Sequence, residues 1–211
     1  MLSYGTIAPH TLELLKHLMA VPMLDKCRLV GGTSLALQYG HRSSVDLDLF
    51  GEIPEEDVVF IDILEQFGKV QGKKTSKVIK SFVIDGIKVD FVNYSHYPWI
   101  DEAVVEDSLR LASPKDIAAM KISAIEGRGS KKDFIDLYFL LQHFSLEEIL
   151  GFYTQKYPQY SMFRTRMALT YFEDAENQET PKMFDVVDWE IVKEKIAEEV
   201  KNFDWKKYGN K

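Results

Sequence analysis

A chain of 211 residues, 45% of them hydrophobic, is long enough to bury a core of its own, and a single cysteine, Cys27, excludes an internal disulfide. A formal net charge of −7 argues against a globally basic nucleic-acid binder, while leaving room for a local basic patch. No apolar run is long enough to span a bilayer, and MLSYGTIAPHTLELLKHLMA carries no charged segment ahead of its apolar part, so we expect a cytoplasmic protein without a signal peptide.

In chain order, Pro9 suits the first turn of a helix in which Leu12, Leu15, Leu18 and Met19 recur at helical spacing, and Pro22 stops it. Lys26 to Val30 reads as a strand that breaks at Gly31-Gly32. Thr33-Ser34 lead into a short helix from Leu35 to Tyr39, ended by Gly40. Val45 to Phe50 alternates as a strand, with Val45, Leu47 and Leu49 on one face and Asp46, Asp48 and Phe50 on the other. Pro54-Glu55-Glu56-Asp57 opens a further helix, with acids where the macrodipole favours them and a stripe of Ile61, Leu64 and Phe67. Lys77–Ile84 and Ile87–Tyr94 flank Asp85-Gly86, a strong hairpin signal.

From Ser113 the pattern is helical. Ser113-Pro114 caps a helix whose Ile117, Met120, Ile122 and Ala124 surround Lys121. Gly127-Arg128-Gly129 breaks it, and Ser130, with Asp133 three residues on, caps a helix carrying Lys132, Asp133 and Asp136. Ser145 caps the next, Pro158 divides it from Met162–Phe172, Glu173 to Pro181 reads as a polar linker, and Asp188 opens a last helix striped by Trp189, Val192, Ile196 and Val200. We find no chemistry in this last region, which reads as packing or a partner surface.

Asp46 and Asp48 point the same way on one strand, and two carboxylates so close repel unless a hard cation neutralises them. The Gly-Gly-Thr-Ser turn offers backbone N–H groups and a positive dipole end, which suit phosphate. Asp90 is an acid within an apolar strand and becomes a third carboxylate if that strand neighbours the first. Together these features suggest nucleotide chemistry. Singly, each has a plainer reading: a solvated strand face for the acids, an ordinary turn for the glycines, a snorkelling surface lysine for Lys121 and a solvated helix face for Asp133 and Asp136.

Gly31-Gly32, thirteen residues, then Asp46-Leu47-Asp48 resembles the signature of the nucleotidyltransferase superfamily typified by DNA polymerase β. The segment SPKDIAAMKISAIEGRGSKKDFIDLYFLL, from Ser113 to Leu141, resembles the AbiEii/AbiGii-type nucleotidyltransferase toxins, with Lys132 where such proteins more often show arginine. The resemblance covers roughly residues 27 to 142. It implies an α/β (α+β) fold, a small mixed sheet flanked by helices with a helical C-terminal part, and we place the core at 1–112 with a helical part, 113–211, packed on it. The implied activity is transfer of a nucleoside monophosphate from an NTP, in the toxin of a toxin–antitoxin or phage-defence pair, with tRNA as one acceptor and an antitoxin protein as partner. Asp46, Asp48 and Asp90 would hold Mg²⁺ or Mn²⁺. Gly31, Gly32, Thr33 and Ser34 would cradle the triphosphate, Arg42 and Lys121 would neutralise departing pyrophosphate, and Lys132, Asp133 and Asp136 would orient Lys121 or the nucleotide. Two alternatives stay open: a nucleotide- or partner-binding module without catalysis, and transfer to a protein or small molecule.

Overall fold

The computed structural model describes residues 1–53 and 57–207 and divides them into two compact units. The first comprises residues 1–98 and 102–113, the second residues 99–101 and 114–211. The second unit thus takes in Trp99–Asp101 from the middle of the first.

The first unit is built on a seven-stranded mixed sheet of β1 (Arg28–Leu29), β2 (Leu47–Gly51), β3 (Val70–Thr75), β4 (Ile79–Ile84), β5 (Ile87–Asn93), β6 (Val104–Glu106) and β7 (Leu109–Leu111). Its order is β3-β4-β5-β2-β1-β7-β6, with β2–β5 and β1–β7 parallel and the other pairs antiparallel. β2 is thus hydrogen-bonded on both sides. Its Leu47 and Leu49 are buried, as are Val89 and Phe91 opposite them in β5, while Asp48 and Asp90 lie on the other face. Alternation on a pleated strand is what separates the two sets. The apolar face joins the first helix, α1 (Pro9–Ala20), through Leu14, Leu15, Leu18 and Met19, and α3 (Asp57–Leu64), whose Phe60 sits edge-on to Phe91 at 4.8 Å.

Several elements differ from the sequence reading. The strand expected from Val45 begins at Leu47, and Val45 is exposed, so Asp46 stands one residue ahead of the ladder. The helix expected from Leu35 begins at Gly31 and runs to Tyr39 (α2), because Gly31, at φ +69°, already turns the chain into it. The strand expected over Lys26–Val30 shrinks to two residues. The expected Pro54-Glu55-Glu56 helix start lies outside the described residues, and Phe67, beyond α3, stacks on His17 at 5.5 Å. The Asp85-Gly86 hairpin forms as read, both residues at positive φ. A second hairpin, β6–β7, turns on Asp107-Ser108, also both at positive φ; this pair of residues announces such a turn far less clearly than Asp-Gly.

The second unit is helical: α4 (Pro114–Gly127), α5 (Lys131–Leu140), α6 (Leu146–Lys156), α7 (Met162–Leu169), the short α8 (Glu173–Glu176) inside the expected linker, and α9 (Trp189–Asn202). Ser145 and Glu148 form a full capping box, and Asp188 caps α9 by accepting from the Glu190 N–H. Ser130 stands at the N-cap of α5 but makes no side-chain cap bond, and its hydroxyl donates to the Asp133 carboxylate at 2.5 Å. Asp116 is fully buried and gathers the Lys156 ammonium at 2.7 Å and the N–H groups of Ile100 and Asp101, which fastens residues 99–101 to this unit.

Gly51 shows where the sheet tolerates no side chain. A Cβ there would meet the Lys26 carbonyl and come within 2.7 Å of the Cys27 Cα, both backbone. We expect Gly51→Ala to cost about 1–3 kcal/mol in urea unfolding, as overpacking does. Gly151, in the middle of α6 with nothing within 4 Å of its Cβ position, should instead gain about 0.4–1 kcal/mol as Gly151→Ala.

Candidate active site

Parallel pairing of β2 with β5 sets Asp48 opposite Asp90. The Val30 N–H donates to the Asp48 carbonyl at 2.8 Å, carrying the β1–β2 pairing to the threshold of α2. At that threshold a Cβ on Gly31 would come within 2.5 Å of the Asp48 Oδ2, so the carboxylate lies directly over the glycine turn. A Cβ on Gly32 would run into the Arg42 guanidinium, which is almost fully buried and donates to the Ser43 carbonyl at 2.9 Å. Sequence spacing of Gly31, Gly32, Arg42 and Asp48 thus becomes spatial contact.

The hydroxyls of Thr33 and Ser34 point elsewhere. Thr33 is buried and its hydroxyl bonds the Asp46 carbonyl and the Ser44 hydroxyl, tying α2 to the lead-in of β2. Ser34 is buried too, and its Oγ accepts from Gln38 at 3.2 Å. The half-exposed Gly31 and Gly32 leave backbone, not hydroxyls, for a phosphate.

Asp90 accepts from the Ser81 hydroxyl at 2.6 Å and pairs with the Lys88 ammonium at 2.7 Å. The hydrogen bond to Asp90 raises the Lys88 ammonium above its ordinary range against the pull of burial, and the charges of Asp90, Asp46 and Asp48 add to it. One lysine therefore feels all three aspartates. Among the described residues, no three His, Cys, Asp or Glu side chains converge as a ready metal cage, because Asp90 is turned to Ser81 and Lys88. The donor set nonetheless suits a hard cation, being all oxygen, and the lysine ammonium is a stand-in cation already held there.

In the second unit Lys121 is buried, and its ammonium lies 3.0 Å from Asp133 and 2.5 Å from Asp136, both carboxylates fully buried. It does not snorkel. Arg128, which the sequence reading treated only as part of a helix break, grips Asp133 through two nitrogens at 2.8 and 3.0 Å. Burial pushes the Asp133 carboxyl up, but Lys121, Arg128 and Ser130 outweigh it and hold the group well below the usual carboxylate range. Lys132 is exposed, whereas its neighbour Lys131 is buried and donates to the Glu176 carbonyl at 3.0 Å. The structure thus gathers Lys121, Asp133 and Asp136, and leaves Lys132 outside that cluster's buried part.

Lys121→Met would leave two buried carboxylates without their shared ammonium, and we expect a loss of about 3–5 kcal/mol in denaturant unfolding, where a solvent-exposed lysine would lose almost nothing. For Asp133 the native value is depressed, so its contribution is complete above roughly pH 4, the ordinary Asp range, and is lost as pH falls toward the native value. Asp133→Asn should therefore be less stable at neutral pH and show a flatter fall in stability below roughly pH 4, measured by unfolding at a series of pH values.

Comparison with known proteins now bears on the whole chain. It is 34% identical over 200 residues to the uncharacterized protein aq_aa25 of Aquifex aeolicus, covering 90% of this chain and 94% of that one. The fold is similar to that of JHP933 from Helicobacter pylori, with a TM-score of 0.56 at 18% identity over 92% of each chain. It is also similar to MenT4, a nucleotidyltransferase toxin from Mycobacterium tuberculosis, with a TM-score of 0.55 at 15% identity over 92% of this chain and 85% of that one. The family model of the nucleotidyl transferase AbiEii toxin of type IV toxin–antitoxin systems matches residues 13–211, well past the stretch in which the sequence motifs lie. The chain therefore belongs to the AbiEii nucleotidyltransferase toxin family.

Proposed function

We propose that this nucleotidyltransferase moves a nucleoside monophosphate from an NTP to an RNA acceptor, tRNA included, with Mg²⁺ or Mn²⁺ held by Asp46, Asp48 and Asp90. The observation that carries the reading is the register of Asp48 against Asp90, beside a glycine turn that the Asp48 carboxylate overhangs. A divalent cation bound there would offset phosphate charge and orient the reacting oxygens. The chain's own residues bind and orient: the N–H groups of Gly31 and Gly32 face phosphate at a helix N-terminus, and the Arg42 guanidinium beside Gly32 adds positive charge. In the second unit Asp133 and Asp136 hold the buried Lys121 ammonium.

A toxin of this kind implies an antitoxin encoded beside it. No helix among the described residues is long and apolar enough to cross a membrane.

The test supplies each α-labelled NTP in turn, with Mg²⁺, to the protein and an extract of RNA and protein. Label should enter RNA, and Asp48→Asn should lower the rate by about 10²–10³-fold while remaining folded. Label in protein or small molecules alone would overturn the RNA acceptor, and NTP binding without transfer would overturn catalysis. Induction of the wild-type chain without an antitoxin should arrest growth, and induction of Asp48→Asn should not.

A further inference from the structure

Lys88 is the one feature of the acidic region that the proposed chemistry leaves unused. It lies two residues before Asp90 on the same face of β5, opposite the buried Val89 and Phe91. Its ammonium is 2.7 Å from the Asp90 Oδ2, while Ser81 on β4 takes Oδ1. The lysine is 53% exposed and Asp90 18% exposed, so the pair sits at the rim where a long side chain is free to swing into water.

Resting on the metal reading above, we infer that Lys88 is a displaceable internal cation: its ammonium pairs with Asp90 when no metal is bound and gives way when a divalent cation takes that carboxylate. Asp48 and Asp90, set side by side by strand pairing, repel one another, and a counter-charge on Asp90 relieves that repulsion before any metal arrives. A tethered monovalent ammonium supplies it at high local concentration, and a small divalent ion with the same oxygens available supplies more. The two compete for Asp90, because Ser81 already holds one of its oxygens and a second cation on the same carboxylate is repelled by the ammonium. Metal affinity is therefore set partly by the lysine.

The experiment titrates the nucleotide-free protein with Mn²⁺ and follows the free-ion electron paramagnetic resonance signal, so no turnover is read. Lys88→Met, at an exposed position with little folding risk, should bind Mn²⁺ about three- to tenfold more tightly than wild type, the range set by a part-exposed ion pair and the repulsion of one nearby cation. Lys88→Arg, which keeps the charge, should stay near wild type. Equal or weaker binding by Lys88→Met, or Lys88→Arg binding as tightly as Lys88→Met, overturns the displaceable lysine while leaving the metal site standing. Absence of Mn²⁺ binding in all three overturns the metal reading and this inference with it.

Discussion

The parallel pairing of β2 with β5 is the constraint on which the first unit depends. It buries Leu47, Leu49, Val89 and Phe91 together and at the same time sets Asp48 beside Asp90 on the opposite face. Because side chains alternate with period two, slipping either strand by one residue would drive acids into the apolar core. The hydrophobic burial that holds the sheet together is thus also what forces like charges to be neighbours. Ser81, Lys88 and the open side of the glycine turn are the means by which the chain tolerates them.

The second unit handles charge in the opposite way. Where the sheet keeps its acids at a half-exposed rim, the helices draw theirs fully inside and surround them with cations. Lys121 bridges Asp133 and Asp136, Arg128 clamps Asp133 from the surface, and Lys156 meets Asp116 with Trp99 stacked 4.8 Å from its ammonium. Removing such charges from water is costly, and pairing returns that cost only when the geometry is close. The benefit is orientation: a lysine held between two carboxylates has few other places to point. That fixes Lys121 in place.

Much of the site was legible from spacing. Asp-x-Asp on a strand, a glycine pair before a short helix and an Asp-Gly hairpin each encode a local geometry that does not depend on distant residues, since φ at Gly31, Asp85 and Gly86 and the alternation of β2 and β5 are properties of a few neighbouring residues. Capping by Ser145 and Asp188 was legible for the same reason. The three-residue strands β6 and β7 were not, because they are too short to show a period and exist only where a neighbouring strand pairs with them, and β1 was read over more residues than pair.

The sequence by itself determined which residues could carry the chemistry, because carboxylates at alternate strand positions and glycines at a turn leave few other readings. Only the tertiary structure decided which partners those residues have. Thr33 and Ser34 sit beside the glycines in sequence, yet their hydroxyls turn inward to Asp46 and Gln38. Lys88 is found on Asp90, and Arg128, which was read as part of a helix break, is found on Asp133. Ionic partners are chosen by which oppositely charged groups the packed backbone brings within about 3 Å and shields from water, and sequence separation says little about either.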